Sequence, residues 1–214
     1  MEMKCLAVLG ASGHGKVAAD AALLVGWESV VFFDDAWPTR SSIGPWPVVG
    51  DTDKLLLNRE MYSAAVVAIG NNSIRLSKLK LLADAGLRIA GIVHPGAVVS
   101  AFAEIGHGSF VAAGAVINAF ARIGAGCIIN TGATVDHDCF LSEGVHVSPG
   151  AHVGGNVYVG RATWIGIGAS VRQCVRIGEN VMIGAGSSVV GDVEPDLTVV
   201  GVPARNITYY KKNA

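Results

Sequence analysis

Ile123-Gly124-Ala125-Gly126-Cys127-Ile128-Ile129-Asn130-Thr131-Gly132-Ala133-Thr134-Val135 repeats its pattern every six residues, and that period decides the fold. Stepping by six from Val93 gives Val99, Ile105, Val111, Ile117 and so on to Val189, an unbroken series of seventeen aliphatic residues. Four residues after each stands a second, small or β-branched phase, running from Ala97 through Cys127 and Cys139 to Val193. Glycine directly follows the aliphatic position at Gly106, Gly124, Gly154, Gly160, Gly166, Gly178 and Gly184. A period of six matches no helix of 3.6 residues per turn. It matches short strands with alternating faces broken by tight turns, the pattern of a hexapeptide parallel β-helix. Three hexads close one triangular coil, so the run gives about five and two-thirds coils stacked ~25 Å high. The aliphatic residue is expected to point inward and the small residue to fit the corner.

Residues 92–193 are therefore expected to form the β-helix and 194–214 a tail carrying Pro195 and Pro203. Residues 1–91 read differently. Lys4 to Leu9 is an apolar run suited to a buried parallel strand. The turn Gly10-Ala11-Ser12-Gly13-His14-Gly15 follows, then a helix from Lys16 to Leu24. Val30 to Phe33 is a second strand ending at Asp34-Asp35, and Pro38, Pro45 and Pro47 mark a loop. A short helix capped by Asp51 or Thr52, a strand from Ala64 to Ile69 and a helix from Ser73 to Ala85, with Ser73 as N-cap, complete the unit. Alternating strands and helices imply a small Rossmann-like parallel sheet.

Composition closes off other classes. The 214 residues are 51% hydrophobic and 15% charged, the reverse of a disordered chain. A net charge of −1 without clustered Lys and Arg argues against a nucleic-acid surface. No apolar run approaches the ~20 residues of a membrane span. The N-terminus does not resemble a signal peptide, and the four scattered cysteines read as free buried thiols of a reducing, cytoplasmic protein.

Two groups of residues carry chemistry. The glycine-rich turn brings backbone N–H groups and a helix N-terminus toward an anion, although G-x-x-G-x-G is not the dinucleotide fingerprint. Gly10, Asp34 and Gly70 fall at the carboxyl ends of strands, where open α/β sheets bind ligands. The second group, Asp136-His137-Asp138, interrupts a β-helix that is otherwise small and apolar. A histidine beside a carboxylate is a base with an orienting partner. His146 and His152 share one repeat phase on adjacent faces, so their side chains diverge and one subunit does not bring them onto a metal. His137 and His146 lie nine residues apart, half a coil, and so on opposite sides. If both serve one site they come from two subunits. His94, His107 and His152 read as turn or surface positions.

With Gly10–Lys16, Phe33-Asp34-Asp35, Ala68–Asn72, Asn130-Thr131, Asp136–Cys139, Gly154-Gly155-Asn156 and Gly201–Ala204 in view, the chain resembles a known family. It is similar to the left-handed β-helix acetyltransferases that carry a small nucleotide-sugar-binding domain in front. These include the UDP-4-amino-sugar N-acetyltransferase of bacillosamine synthesis and the sialic acid O-acetyltransferases. The likeness spans about residues 4 to 207. It implies a homotrimer with active sites between neighbouring prisms, and acetyl-CoA as co-substrate with no metal. His137 matches the family's general base. Asp138 matches its paired carboxylate, a Glu in the bacillosamine enzyme, and Asp136 could share that task. His146 matches a second histidine near the acetyl group. Gly155, Ile167 and Ala185 match the coenzyme A channel, and Gly13, His14, Asp34, Asp35 and Asn130 match nucleotide-sugar contacts.

The expected reaction is direct attack by the 4-amino group of a UDP-4-amino-4,6-dideoxy sugar on acetyl-CoA, with a backbone N–H at Gly155 facing the oxyanion. Alternatives are O-acetylation of sialic acid or another sugar, a β-helix zinc hydratase, and a non-catalytic trimeric scaffold.

Overall fold

The computed structural model describes residues 4–207; the last part of the expected tail, residues 208–214, lies outside them. The chain divides into two compact units between Pro95 and Gly96.

The first unit is a parallel sheet built around β1 (Cys5–Leu9). β2 (Ser29–Phe33) pairs with one side of β1 and β5 (Ala64–Val67) with the other, both parallel. Beyond β2 lie β4 (Trp46–Gly50) and the short antiparallel β3 (Ser42–Ile43). The order β3-β4-β2-β1-β5 reverses direction between β1 and β5, which opens a crevice at their carboxyl ends. α1 (Gly13–Leu24) presses Ala18, Ala19, Ala21 and Ala22 into the interior; residues with so little side chain let the helix lie close to the sheet. α2 (Thr52–Leu57) and α3 (Asn72–Asp84) add Leu55, Leu79 and Leu82 to a core shared with Leu9, Phe33 and Val67.

Three local expectations change here. The proline-marked loop contains the hairpin β3–β4, with Pro47 opposite Ser42 and just before Val48, where the pairing of β4 with β2 begins, so its missing N–H interrupts no rung of that pairing. α1 begins at Gly13 rather than Lys16, so the glycine turn itself forms the first helical turn. α3 is capped by Asn71, whose Oδ1 accepts from the Ile74 N–H at 3.0 Å, and not by Ser73. An asparagine two positions earlier satisfies the orphan amide, so Ser73 is already helical.

The second unit is the left-handed β-helix. Two-residue rungs recur on three faces, and each rung pairs in parallel with the one 18 residues on, as Thr134↔His152 and Ile128↔His146 do. The aliphatic phase lines the interior: Val135, Leu141, Val147, Val159 and Ile165 are all fully buried. The small phase is buried too, with Cys127, Ala133, Cys139 and Ala151 at most 1% exposed. Each fully buried aliphatic side chain contributes about 1.5–3 kcal/mol, so one continuous core holds the stack. Polar members of the small phase tie coils together: Thr163 Oγ1 donates to Gly178 O at 2.7 Å and accepts from the Val181 N–H at 3.0 Å. A Cβ on Gly160 would come within 2.4 Å of the backbone of the next coil, which explains glycine directly after the aliphatic position. Three residues after that position the backbone turns left-handed, as at Gly132 (φ 64°), Gly150 (φ 63°) and Asp138 (φ 58°).

Candidate functional site

The residues expected to carry chemistry fall into three groups. In the first unit, the turn after β1 meets the end of β2. Gly10 has φ 113°, and a Cβ on Gly15 would stand 2.2 Å from Gly10 O, so the turn folds onto its own helix only with glycine at both places. Asp34 binds this turn: its Oδ2 accepts from the Ala11 N–H at 2.7 Å, and its Oδ1 from the Ala36 N–H at 2.9 Å. Arg40 Nη1 donates to Ala11 O at 2.5 Å and lies 3.4 Å from Asp34 Oδ2. A cleft of about 250 Å³ opens there, lined by Gly10, Ser12, Asp34, Asp35, Ile69 and Gly70, at the crossover between β1 and β5.

Asp35, although on that cleft, is heavily engaged within the chain. Its Oδ1 accepts from the Thr52 N–H (3.0 Å) and Oγ1 (2.6 Å), and its Oδ2 from Lys78 Nζ (2.7 Å). Burial would raise its pKa, but Lys78 and Thr52 outweigh that and hold it below the ordinary carboxylate value. Asp35 thus braces the start of α2 against the middle of α3. Gly13 is exposed at the head of α1. His14, beside it, has its pKa pushed down to about 4, first by burial and then by the charge of Arg75, so it is neutral at physiological pH.

The second group occupies one corner of the β-helix, in the turns that follow rungs 116–117, 134–135 and 152–153. His137 Nδ1 lies 2.7 Å from Asp138 Oδ2. Asp136 Oδ1 accepts from Asn118 Nδ2 one coil below and from the His137 N–H, both at 2.8 Å. The Asp138 hydrogen bond, then the charge of Asp136, raises the pKa of His137; the contacts of Asn118 and the His137 N–H lower that of Asp136. The imidazole lies over Gly155 of the next coil, where a Cβ would come within 2.6 Å of Nε2. The His137 side chain remains 59% exposed, so Nε2 is accessible. Phe120, Arg122, Asp138 and Phe140 border a hollow of about 340 Å³ at this corner.

The third group lies elsewhere on the prism, along rungs 128–129, 146–147 and 164–165 and the turns after them. His146 is buried (6% exposed); its Nε2 lies 3.2 Å from Asn130 Nδ2 and its ring stacks on Trp164 at 4.4 Å. Trp164 Nε1 donates to Ser148 Oγ at 2.7 Å. Ile167, 61% exposed, and Ala185, also exposed, follow one another up the same corner. Trp164 and Ser148 were not singled out from sequence; their signal was a polar pair at spacing 16, close to one coil.

Two of the four cysteines fit packing roles; Cys5 is only partly buried and Cys174 is exposed, against the expectation of buried thiols. Cys127 Sγ donates to Ser142 O and Cys139 Sγ to Gly154 O, and burial pushes the Cys139 thiol up, away from nucleophilic thiolate. Among the described residues no cluster of three or more His, Cys, Asp or Glu side chains suits a metal ion. No helix there is long and apolar enough to cross a membrane.

Comparison with known proteins bears on both units. The family model described as the PglD N-terminal domain matches residues 5–82, and that of the bacterial transferase hexapeptide (six repeats) matches residues 156–191. The acetyltransferase domain of PglB from Neisseria gonorrhoeae FA1090 is 44% identical over 95% of this chain and 100% of that chain, with a TM-score of 0.90. That domain is also known in complex with acetyl coenzyme A. A mutant of the perosamine N-acetyltransferase from Caulobacter crescentus, in complex with CoA and GDP-perosamine, is 39% identical over 94% of this chain and 95% of that one, with a TM-score of 0.90. WeeI from Acinetobacter baumannii AYE is 27% identical over 94% of this chain and 99% of that one, with a TM-score of 0.86.

Proposed function

The chain belongs to the acetyl-CoA-dependent sugar N-acetyltransferases that join a PglD-type N-terminal domain to hexapeptide repeats, and we propose that it acetylates the 4-amino group of a UDP-4-amino-4,6-dideoxy sugar with His137 as general base. The observation that carries this reading is the His137–Asp138 contact with Nε2 turned toward Gly155.

Asp138 accepts a hydrogen bond from the Nδ1–H, which fixes the tautomer and leaves the Nε2 lone pair to take the proton of the attacking amine. The amine nitrogen bonds to the acetyl carbonyl carbon, the tetrahedral intermediate collapses, and the coenzyme A thiolate leaves and takes up a proton. A backbone N–H at Gly155 faces the oxyanion. The closeness of Gly155 to the imidazole ring supports this. Fixing two bound substrates against each other supplies much of the rate. An acetyl-cysteine step at Cys127 or Cys139 is disfavoured because both are buried packing residues.

The first unit holds the nucleotide diphosphate. Asp34 lines its cleft, Gly13 and His14 stand beside it in the glycine-rich turn, and Asp35 orders that side through Thr52 and Lys78. Asn130 and His146 sit with Ile167 and Ala185 on a different corner from His137. One protomer's His137 corner is therefore completed by the acetyl-CoA-lining residues of a neighbour in a homotrimer that works in the cytoplasm.

Thiol release from acetyl-CoA tests the assignment, with UDP-4-amino-4,6-dideoxy-N-acetylglucosamine, its dTDP and GDP relatives and sialic acid offered in parallel. Turnover of the UDP amino sugar, lost in His137→Ala, is the expected result. Turnover confined to dTDP, GDP or sialic acid substrates would overturn the substrate assignment. Light scattering of the pure protein checks the trimer.

A further inference from the structure

Arg75 is the largest side chain among the described residues to be completely buried, at 1% exposure, and no role in the reaction has been given to it above. It stands one turn into α3, below the turn that joins β5 to that helix. Its Nη1 donates to Ile69 O at 2.9 Å and to Gly70 O at 3.0 Å, and its Nη2 donates to Asn72 Oδ1 at 2.8 Å. The guanidinium thus draws two successive carbonyls inward. A trans peptide is planar, and its N–H points opposite to its C=O. The amide hydrogens of Gly70 and Asn71 are therefore turned away from Arg75. Ile69 and Gly70 line the cleft on the other side of that turn. The facing wall depends on the same placement: a Cβ on Gly10 would meet Ala68 O at 2.8 Å and Ile69 Cγ1 at 2.9 Å, so the two turns pack backbone to backbone.

We propose that Arg75 is a positioning residue of the nucleotide-sugar cleft, which clamps the Ile69-Gly70-Asn71 turn so that two backbone amides face the diphosphate. It touches no substrate. Its action runs through peptide orientation, and the proposal rests on the reading of this cleft as the nucleotide site. Only a planar fork reaches two carbonyls and a side-chain oxygen together; a lysine ammonium is a compact point charge and does not span them. Asn72 is the strap that holds the fork in plane, which accounts for a buried asparagine three residues before a buried arginine. The same cation also lowers the proton affinity of His14 on the glycine turn. One side chain thus conditions both walls of the cleft.

The test compares wild type, Arg75→Lys and Asn72→Ala in the full chain, with circular dichroism and thermal unfolding to verify the fold. UDP is titrated calorimetrically, and steady-state rates are measured against the UDP amino sugar and against acetyl-CoA separately. Losing hydrogen bonds that aim donors at an anion costs about tenfold or more in affinity. Arg75→Lys is expected to raise the UDP Kd and the amino-sugar KM by about that factor, with kcat and the acetyl-CoA KM within about twofold. Asn72→Ala, which keeps the charge and the guanidinium, is expected to move the same two constants several-fold in the same direction. If Arg75→Lys does not fold, Asn72→Ala decides. Wild-type nucleotide constants in a folded variant would overturn the proposal. So would an equal loss in kcat and both KM values, the mark of general structural damage. If wild type itself binds no UDP, dTDP or GDP, the cleft reading fails first and the role of Arg75 falls with it.

Discussion

The two histidine-bearing turns are electrostatic opposites. His137 stands at an open corner of the β-helix between two aspartates, which raise its proton affinity. His14 lies in the glycine turn of the α/β unit, where burial and Arg75 drive its pKa down to about 4. One imidazole is exposed and paired with carboxylates that favour its charged form; the other is buried and held neutral. A group that moves a proton needs solvent access and a tunable charge. A buried group held neutral keeps one protonation state around neutral pH.

The comparison breaks most sharply at His137. His137→Ala is expected to lower kcat by roughly 10²–10⁴ while nucleotide binding stays intact, measured by thiol release and UDP titration. Near-normal turnover would remove the base from the corner. Gly155→Ala is next. A methyl within 2.6 Å of Nε2 displaces the ring, and misplacement by about 1 Å costs about 10² in turnover. The imidazole of that variant should still titrate by NMR.

Asp138→Asn tests the tuning itself. Because the hydrogen bond to Asp138 raises the pKa of His137, the unprotonated base is lost as pH falls through a value above 6.5. Replacing the carboxylate should shift the acid limb of the kcat/KM profile to lower pH and cut the plateau about tenfold. An unmoved limb would assign the shift to Asp136. His14 carries the smallest effect. Its folded pKa lies below its unfolded value of 6.5, so the stability it contributes is complete above 6.5 and falls as pH drops toward 4. The slope is at most about 1.4 kcal/mol per pH unit. His14→Gln should flatten the dependence of unfolding free energy on pH in that window by denaturant titration.

How much of this was legible in the sequence follows from how each unit uses its residues. In the β-helix the interior constrains every sixth position, so the fold is written in plain periodicity, and Asp136-His137-Asp138 is conspicuous because it breaks a run of small corners. The α/β unit hides its devices. Asp34 and Asp35 are adjacent and chemically identical, yet one bonds the glycine turn while the other braces two helices, and only the distant partners Thr52 and Lys78 tell them apart. Arg75 reads as one more cation in a helix with Lys78 and Lys80, a solvated face by pattern. The neighbouring Asn72, three residues before it and just past a glycine, was the local hint. β4 was missed because Pro47 argues against a strand; the proline stands before Val48, where the pairing of β4 with β2 begins, so it interrupts no rung of that pairing. His146 was identified by resemblance, while its support from Trp164 needed the coil register.

That register makes the enzyme a counted machine. His137 sits over Gly155, and Asp136 over Asn118, because equivalent corners recur every 18 residues. Each coil adds a fixed step of ~4.8 Å along the prism. Removing or duplicating one coil would slide the reactive corner along the stack by a whole step and leave its immediate neighbours in register. The distance between the His137 corner and either end of the prism is thus adjustable only in integers.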